Sequence, residues 1–253
     1  MSEHVRIERQ GGLLAITLAR PDRRNAITVE MYSALADAVE LAAQDEQVRL
    51  VTIAGEGQDF TAGNDLNDFL AALPRLSDDI PVWRFLRALA RNPVPLVAAV
   101  QGNVVGIGTT MLLHCDLVIA EESARFSLPF VDLGLVPEAA SSLLLPRLAG
   151  RRRAARFLLL AEPFGAREAE QAGLVSHVVL DGTLSSALAE VAGRLLAKPA
   201  EALKLTQALL RKGAQDEMLE RMELENRHFS ERLQSDEVRE AITAFFARKS
   251  GGG

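Results

Sequence analysis

PLVAAVQGNVVGIGTTMLLHCDLVIA, residues Pro95–Ala120, is the stretch of sequence that decides the fold. Its apolar runs Leu96–Val100 and Asp116–Ala120 predict two buried strands, and the glycine-rich segment between them predicts a turn that leads into a short apolar helix. From Pro93 to Cys115 no side chain carries a formal charge except a protonated histidine. A run of about 20 such residues could span a bilayer. The prolines and glycines inside it favour the strand, turn and buried helix instead.

The same alternation of strands and helices continues on both sides of this stretch. Strands are predicted around Val5 and Ile7 and at Leu13–Leu18, Val48–Ala54 and Leu174–Val179. Thr28 is predicted to cap a helix with the apolar face Met31, Leu35, Val39 and Ala42, and further helices are predicted at Asp65–Leu73, Val82–Ala90, near Thr109–His114 and after Lys198-Pro199. The alternation predicts an α/β core over residues 1–183 that carries the active site, and a helical C-terminal subdomain over residues 184–253.

The helices after Leu184 carry apolar stripes, such as Leu203, Leu205, Leu209 and Leu210. Such a stripe packs either within the same chain or against a neighbouring subunit. Periodicity alone does not distinguish a core from an interface, so both interpretations stay open.

Composition places the 253-residue chain among soluble globular proteins, with 48% hydrophobic and 25% charged residues. Its net charge of -6 argues against a nucleic-acid partner. The single cysteine, Cys115, excludes an internal disulfide and is typical of a reducing compartment. Charged residues at the start argue against a signal peptide, and His4 and His228 lack partners at metal-ligand spacing. We therefore expect a cytoplasmic protein without a metal site.

Two glycine-containing turns follow buried strands, TAGNDL at Thr61–Leu66 and GNVVGIGTT at Gly102–Thr110. Each leads into a predicted helix, whose first backbone N–H groups carry partial positive charge. Two such donors could hold an oxyanion, although glycine-rich turns are more often only turns. Neither turn has the Gly-Lys-Ser/Thr of a P-loop or the full dinucleotide-binding fingerprint.

These motifs and their order resemble the enoyl-CoA hydratase/isomerase superfamily, also called the crotonase family, over nearly the whole chain. The matching stretches are RPDRRNAIT (Arg20–Thr28), VTIAGEGQDFTAGNDLNDF (Val51–Phe69), Pro95–Ala120, ARFSLPFVDLGLVPEAASSLLLPRLAG (Ala124–Gly150) and AEQAGLVSHVV (Ala169–Val179).

The resemblance implies a spiral of ββα units, a helical C-terminal trimerisation region and an acyl-CoA thioester substrate. No cofactor is expected beyond the coenzyme A of the substrate. The resemblance also implies that the backbone N–H groups of Asn64 and Ile107 form the oxyanion hole. Further residues are predicted to line the substrate site: Arg23, Arg24, Ala62, Gly63, Asp65, Gly106, Thr110, Phe130, Asp132 and Leu135.

Two departures from the family pattern narrow the expected chemistry. Hydratases of the family place glutamates at the positions of Thr110 and Phe130, and neither residue here can transfer a proton to or from water. We therefore predict no hydratase activity. Glu138, in LGLVPE, occupies the position of the catalytic base in the Δ3,Δ2-enoyl-CoA isomerase branch. The similarity is greatest to peroxisomal-type isomerases, which share SLPF, the pair Ser141-Ser142 and the terminal AITAFFARKS.

Alternatives remain at several of these residues. Glu138 could instead only stabilise a helix N-terminus. Asp132 could line the pocket, although pairing with a basic residue is favoured, and Asp65 could cap a helix. Arg23, Arg24, Arg248 and Lys249 are candidates for contacts with coenzyme A phosphates, the last two from a neighbouring subunit. The alternative functions are a ring-epoxide/oxepin-type CoA isomerase and a non-catalytic protein that binds CoA thioesters.

Overall fold

The computed structural model describes residues 2–68 and 80–250, without the side chains of residues 245, 246 and 248–250. Most of the helix predicted at Asp65–Leu73, and the predicted side-chain contacts of Arg248 and Lys249, therefore lie outside the described residues. Among the described residues, no helix is long and apolar enough to cross a membrane.

The core is a six-stranded sheet in the order β1-β2-β3-β4-β6-β9. Its strands are β1 (Val5–Gln10), β2 (Leu13–Leu18), β3 (Leu50–Gly55), β4 (Leu96–Val100), β6 (Leu117–Glu121) and β9 (His177–Val179). Only the β1–β2 hairpin is antiparallel. Every residue of β4 is buried, as expected for a parallel strand covered on both faces. The run Pro95–Ala120 thus forms the centre of the sheet rather than a membrane span.

A second sheet of three short strands, which the sequence did not predict, lies next to the glycine turns. It joins β5 (Asn103–Val105), β7 (Arg125–Ser127) and β8 (Phe164–Gly165) in that order. These strands are too short to show the alternation of apolar and polar residues by which a strand is predicted. The second predicted turn therefore begins as a strand, and this sheet places its end beside the first turn.

Helices cover the main sheet and make up the C-terminal region. They are α1 (Val29–Gln44), α2 (Pro81–Arg91), α3 (Ile107–Thr110), α4 (Ser141–Ala149), α5 (Arg151–Leu159), α6 (Ala166–Gln171), α7 (Leu184–Leu196), α8 (Ala200–Arg211), α9 (Gln215–Leu233) and α10 (Asp236–Ser250), with 3-10 turns at Pro21–Arg23, Met111–His114 and Val131–Leu133. Thr28 caps α1 by accepting a hydrogen bond from the Met31 N–H, and the predicted face is buried.

The C-terminal helices pack onto the core through a few specific contacts. Trp83 of α2 meets Phe229 of α9 edge to face, with ring centroids 5.5 Å apart. Arg211 of α8 donates hydrogen bonds to the backbone oxygens of Asn92 and His114, each at 2.8 Å. These contacts bring the C-terminal helices against α2 and against the 3-10 turn Met111–His114, which follows the second glycine turn. The division at residue 183 stays a prediction.

Candidate active site

Backbone hydrogen bonds join the two glycine turns side by side. The Thr61 N–H donates to the Asn103 carbonyl at 3.0 Å, and the Val105 N–H donates to the Thr61 carbonyl at 3.1 Å. Gly63 has φ +86°, and a Cβ there would lie 3.0 Å from the Val105 oxygen. Glycine is therefore required at this position by both the backbone conformation and the close approach.

Among the backbone donors of these turns, the two N–H groups that the family resemblance assigns to the oxyanion hole have no acceptor among residues 2–68 and 80–250. The first is the N–H of Asn64, although its neighbours Gly63 and Asp65 exchange hydrogen bonds with Ile27. The second is the N–H of Ile107, the first residue of α3, which follows Gly106 with φ +55°. The first N–H groups of a helix have no partner within it and carry its partial positive charge. Unpaired backbone N–H groups of this kind are suited to bind an oxyanion.

Tyr32 connects α1 to the first of these turns. Its hydroxyl donates a short hydrogen bond to Oδ1 of Asn64, and its ring is buried against Phe85. Burial, and to a lesser extent the charge of Glu138, raises the pKa of Tyr32 well above its ordinary value of 10.0. The phenol is therefore a permanent hydrogen-bond donor that lies close enough to Glu138 to sense its charge.

Glu138 is the most unusual ionisable group of the site. It is only 1% exposed, and neither carboxyl oxygen forms a hydrogen bond within the described part of the chain. Burial is the main cause that raises its pKa to about 8; the charge of Glu225 adds to this, and the nearby Thr110 hydroxyl acts in the opposite direction. A carboxyl group with a pKa near neutrality can both take up and release a proton under physiological conditions.

The backbone that follows Glu138 is strained. Ala139 and Ala140 have φ +60° and +56°, a left-handed conformation that alanine rarely adopts. Nε2 of the buried His114 lies 2.9 Å from the Ala139 oxygen. Burial lowers the pKa of His114 to about 4, so the ring is neutral and its Nε2–H donates to that carbonyl. Glu225 of α9 accepts hydrogen bonds from the N–H groups of Ala140 and Ser142, at the end of the turn that leads into α4.

Several predicted substrate-site residues lie on or next to these elements. Gly63 and Gly106 shape the turns, Ala62 precedes Gly63 and donates its N–H to the Arg24 carbonyl at 2.8 Å, and Thr110 ends α3. Thr110, Phe130 and Leu135 are buried. The two positions where hydratases carry glutamates thus present a hydroxyl and a phenyl ring.

The charged residues of the predicted substrate site are less buried than the apolar residues Phe130 and Leu135. Asp65 accepts hydrogen bonds from the N–H groups of Asn67 and Asp68, as a helix cap does, and also pairs with Arg20 at 2.7 Å. Arg23 and Arg24 are exposed on the loop before Asn25.

The ion pair favoured for Asp132 does not occur among the described residues. Asp132 is exposed on the 3-10 turn Val131–Leu133, which directs it to solvent, and no described basic side chain pairs with it. Its predicted role as a substrate contact stays a prediction.

The sequence analysis did not identify Tyr32, His114 or Glu225 as residues of the site. Tyr32 lies on the buried face of α1. A tyrosine among apolar residues on a buried helix face indicates a hydroxyl with a buried hydrogen-bond partner, and this signal could have identified it. Glu225 had no such signal, because charged residues surround it along α9. No group of three or more His, Cys, Asp or Glu side chains suited to a metal ion occurs in the described segments.

Comparison with known proteins adds to this geometry. The family described as "Enoyl-CoA hydratase/isomerase" matches residues 8–251. The Escherichia coli (strain K12) protein named 1,2-epoxyphenylacetyl-CoA isomerase is 33% identical over 99% of this chain and 98% of its own length. Enoyl-CoA delta isomerase 2 of Rattus norvegicus is 34% identical over 98% of this chain and 64% of its own length. A crystal structure of an enoyl-CoA hydratase/isomerase from Pseudoalteromonas atlantica T6c superposes with a TM-score of 0.92, is 40% identical, and covers 97% of this chain and 98% of its own. The predicted fold is therefore confirmed.

Proposed function

Because the chain belongs to the enoyl-CoA hydratase/isomerase (crotonase) family, we propose that it is an isomerase that moves the double bond of a 3-enoyl-CoA from position 3 to position 2. The observation that carries this proposal is Glu138, a buried carboxyl group without a described hydrogen-bond partner, whose pKa is raised to about 8. Thr110 and Phe130 replace the acids that a hydratase needs. One carboxyl group suffices for a double-bond shift, whereas addition of water needs an acid and a base around that water.

The proposed reaction is two proton transfers by one group. The Glu138 carboxylate takes a proton from C2 of the 3-enoyl thioester, and the electron pair of that C–H bond delocalises onto the thioester oxygen as a dienolate. Protonated Glu138 then donates the same proton to C4. The C2=C3 double bond forms, the C3=C4 double bond is lost, and the carbonyl returns. A positioned base of this kind contributes roughly 10²–10⁴-fold to the rate.

In this proposal the N–H groups of Asn64 and Ile107 bind the thioester oxygen and stabilise the dienolate. Loss of one such donor costs about 3–4 kcal/mol in comparable sites. The buried Phe130 and Leu135 keep the surroundings apolar, which maintains the raised pKa of Glu138 and keeps water from the intermediate.

A second candidate is isomerisation of a ring-epoxide CoA thioester to an oxepin. It is favoured by the similarity to the protein named 1,2-epoxyphenylacetyl-CoA isomerase, which extends over 98% of that protein. The same carboxyl group and the same oxyanion donors would serve such a rearrangement. The third possibility, a protein that only binds CoA thioesters, leaves the buried Glu138 without a purpose.

We further propose a homotrimer or a dimer of trimers in which Arg23 and Arg24 contact the coenzyme A phosphates. Both arginines are exposed, and the Arg24 carbonyl accepts a hydrogen bond from the Ala62 N–H on the turn that carries Asn64. Leu205, Leu209 and Leu210 of α8 are also exposed, with Leu210 78% accessible in the single chain. An apolar stripe of this extent is typical of a surface covered by another subunit. Arg248, Lys249 and the cytoplasmic location stay predictions.

Product analysis separates the candidates. The purified protein is incubated in parallel with trans-3-hexenoyl-CoA, 2-butenoyl-CoA and an epoxyphenylacetyl-CoA, and the products are resolved by chromatography with mass detection. The proposal predicts 2-hexenoyl-CoA and no water adduct from either unsaturated thioester. A water adduct would contradict it, and turnover of the epoxide alone would establish the second candidate. Binding without turnover of any of the three would favour the binding protein.

A further inference from the structure

The strained turn directly after Glu138 is secured mainly by a side chain from far along the sequence. Glu225 of α9 accepts hydrogen bonds from the Ala140 N–H at 2.6 Å and the Ser142 N–H at 2.9 Å. Both carboxylate oxygens are used, one for each donor. Ala140 is in the left-handed conformation, and Ser142 is in the first turn of α4, so the two bonds span the junction between the turn and the helix.

The free-energy cost of the left-handed backbone at this turn indicates that the turn has a functional role. A non-glycine residue held in the left-handed region costs on the order of 1 kcal/mol or more, and such residues persist where surrounding contacts hold them. Here two of them, Ala139 and Ala140, follow each other immediately after Glu138, whose buried carboxyl oxygens have no hydrogen-bond partner among the described residues. Glu225 itself is 5% exposed, so its carboxylate is also removed from water.

We propose that Glu225 is a positioning residue of the active site, which holds the turn after Glu138 through the Ala140 and Ser142 amides and thereby sets the direction of the Glu138 carboxyl group. Helix α9 is then a part of the active site rather than only a cover for it. This inference rests on the proposed function, since it assigns Glu225 a role in the proton transfer by Glu138.

The charges around Glu138 come from several elements. Tyr32 on α1 remains neutral, and His114 is neutral and bonded to the Ala139 carbonyl. Thr110 on α3 contributes a hydroxyl. Burial is the main cause that raises the pKa of Glu138, and the charge of Glu225 on α9 adds to it. Burial also raises the pKa of Glu225 itself, and its hydrogen bonds with Ser142 and Ala140 oppose that shift.

Arg221, one turn earlier on α9, donates a hydrogen bond to the Ser142 hydroxyl at 3.2 Å and partly compensates Glu225. Removing the charge of Glu225 while keeping its shape should therefore ease ionisation of Glu138.

The test compares Glu225→Gln and Glu225→Ala with two variants on the same helix. Glu223→Gln removes an exposed charge, and Met222→Ala loosens the buried face of α9 without touching the turn amides. We expect kcat to fall about 10- to 100-fold in Glu225→Ala with a smaller change in KM, because a carboxyl group displaced by about 1 Å transfers protons poorly. In Glu225→Gln the acidic limb of the pH–rate profile should move to lower pH, while both control variants keep the wild-type profile.

Amide hydrogen exchange without substrate provides a readout that does not depend on turnover. The Ala140 and Ser142 amides should exchange faster in Glu225→Ala than in the wild type, and Glu223→Gln should not change them. If the wild type fails to isomerise 3-enoyl-CoA but exchange responds in this way, the proposed function is wrong and Glu225 still holds the turn. If the wild type is active and neither kcat, the pH profile nor the exchange responds to Glu225, the role of Glu225 is overturned.

Discussion

The two sides of the proposed active site are built in different ways. The proposed oxyanion side consists of backbone N–H groups, Asn64 and Ile107, on turns that follow neighbouring parallel strands and are joined by backbone hydrogen bonds. The carboxyl side consists of one side chain, Glu138, on a strained turn held by His114 and Glu225. The first is a consequence of local sequence and sheet order, whereas the second depends on side chains contributed by distant segments.

In this account the groups that bind the thioester are backbone N–H groups, whereas the group that transfers the proton is a side chain. Backbone donors tolerate changes of side chain, so a family can keep them while its chemistry changes. A carboxyl group held by distant contacts can be replaced or moved without disturbing the oxyanion turns. We therefore expect the isomerases and hydratases of this family to differ in their catalytic carboxyl groups and to share the backbone oxyanion donors.

The largest effect is expected from Glu138→Gln. Removal of the proposed base should lower kcat about 10²- to 10⁴-fold, whereas affinity for a CoA thioester should remain, because the oxyanion donors are unchanged. Steady-state kinetics with 3-hexenoyl-CoA and calorimetric binding of a saturated acyl-CoA measure the two quantities. An active Glu138→Gln variant would show that another group transfers the proton.

Disruption of the oxyanion side should come next. Gly63→Ala places a Cβ 3.0 Å from the Val105 oxygen in a backbone with φ +86°, which should displace the Asn64 N–H. We expect kcat/KM to fall about 10²-fold, in the range found for loss of an oxyanion donor. Gly11→Ala is the matched control, since Gly11 has φ +57° but no atom within 4 Å of its Cβ position. Equal losses in both variants would mean that backbone strain alone is responsible.

Tyr32→Phe should have a smaller effect. It removes the hydrogen bond to the Asn64 side chain but keeps the ring against Phe85. A net loss of about 1 kcal/mol, the usual value for a neutral hydrogen bond, corresponds to a fall in kcat/KM of up to about 10-fold. A loss as large as that of Glu138→Gln would instead assign the phenol a direct part in proton transfer.

The last effect concerns stability rather than the rate of the reaction. Folding raises the pKa of Glu138 from 4.5 to about 8, so the folded state holds its proton more tightly than the unfolded state. Between these values, Glu138 lowers the unfolding free energy by about 1.4 kcal/mol for each pH unit of increase. Urea unfolding at pH 5 and pH 8 should show a larger loss of stability in the wild type than in Glu138→Gln. Equal losses would mean that Glu138 ionises freely in the folded protein.

Most of the fold could be predicted from the sequence, because buried strands, glycine turns and the Thr28 cap are local patterns. The assignment of Asn64 and Ile107 as oxyanion donors came from family resemblance and stays a prediction. Glu138 was found through family resemblance, since its burial cannot be read from LGLVPE. The second sheet was missed because β8 has only two residues. Glu225 was missed because it lies 85 residues from Ala140, and its contact arises only when α9 packs against α4.

The most direct test of the single-carboxyl mechanism follows one hydrogen atom. The purified wild type converts 3-hexenoyl-CoA carrying deuterium at C2 in ordinary water, and mass spectrometry locates deuterium in the 2-hexenoyl-CoA formed. Because Glu138 is buried, its proton should exchange with water more slowly than it is returned, so the account predicts deuterium at C4 in part of the product. Deuterium left only at C2, with none at C4 at any stage of turnover, would contradict transfer by a single buried carboxyl group.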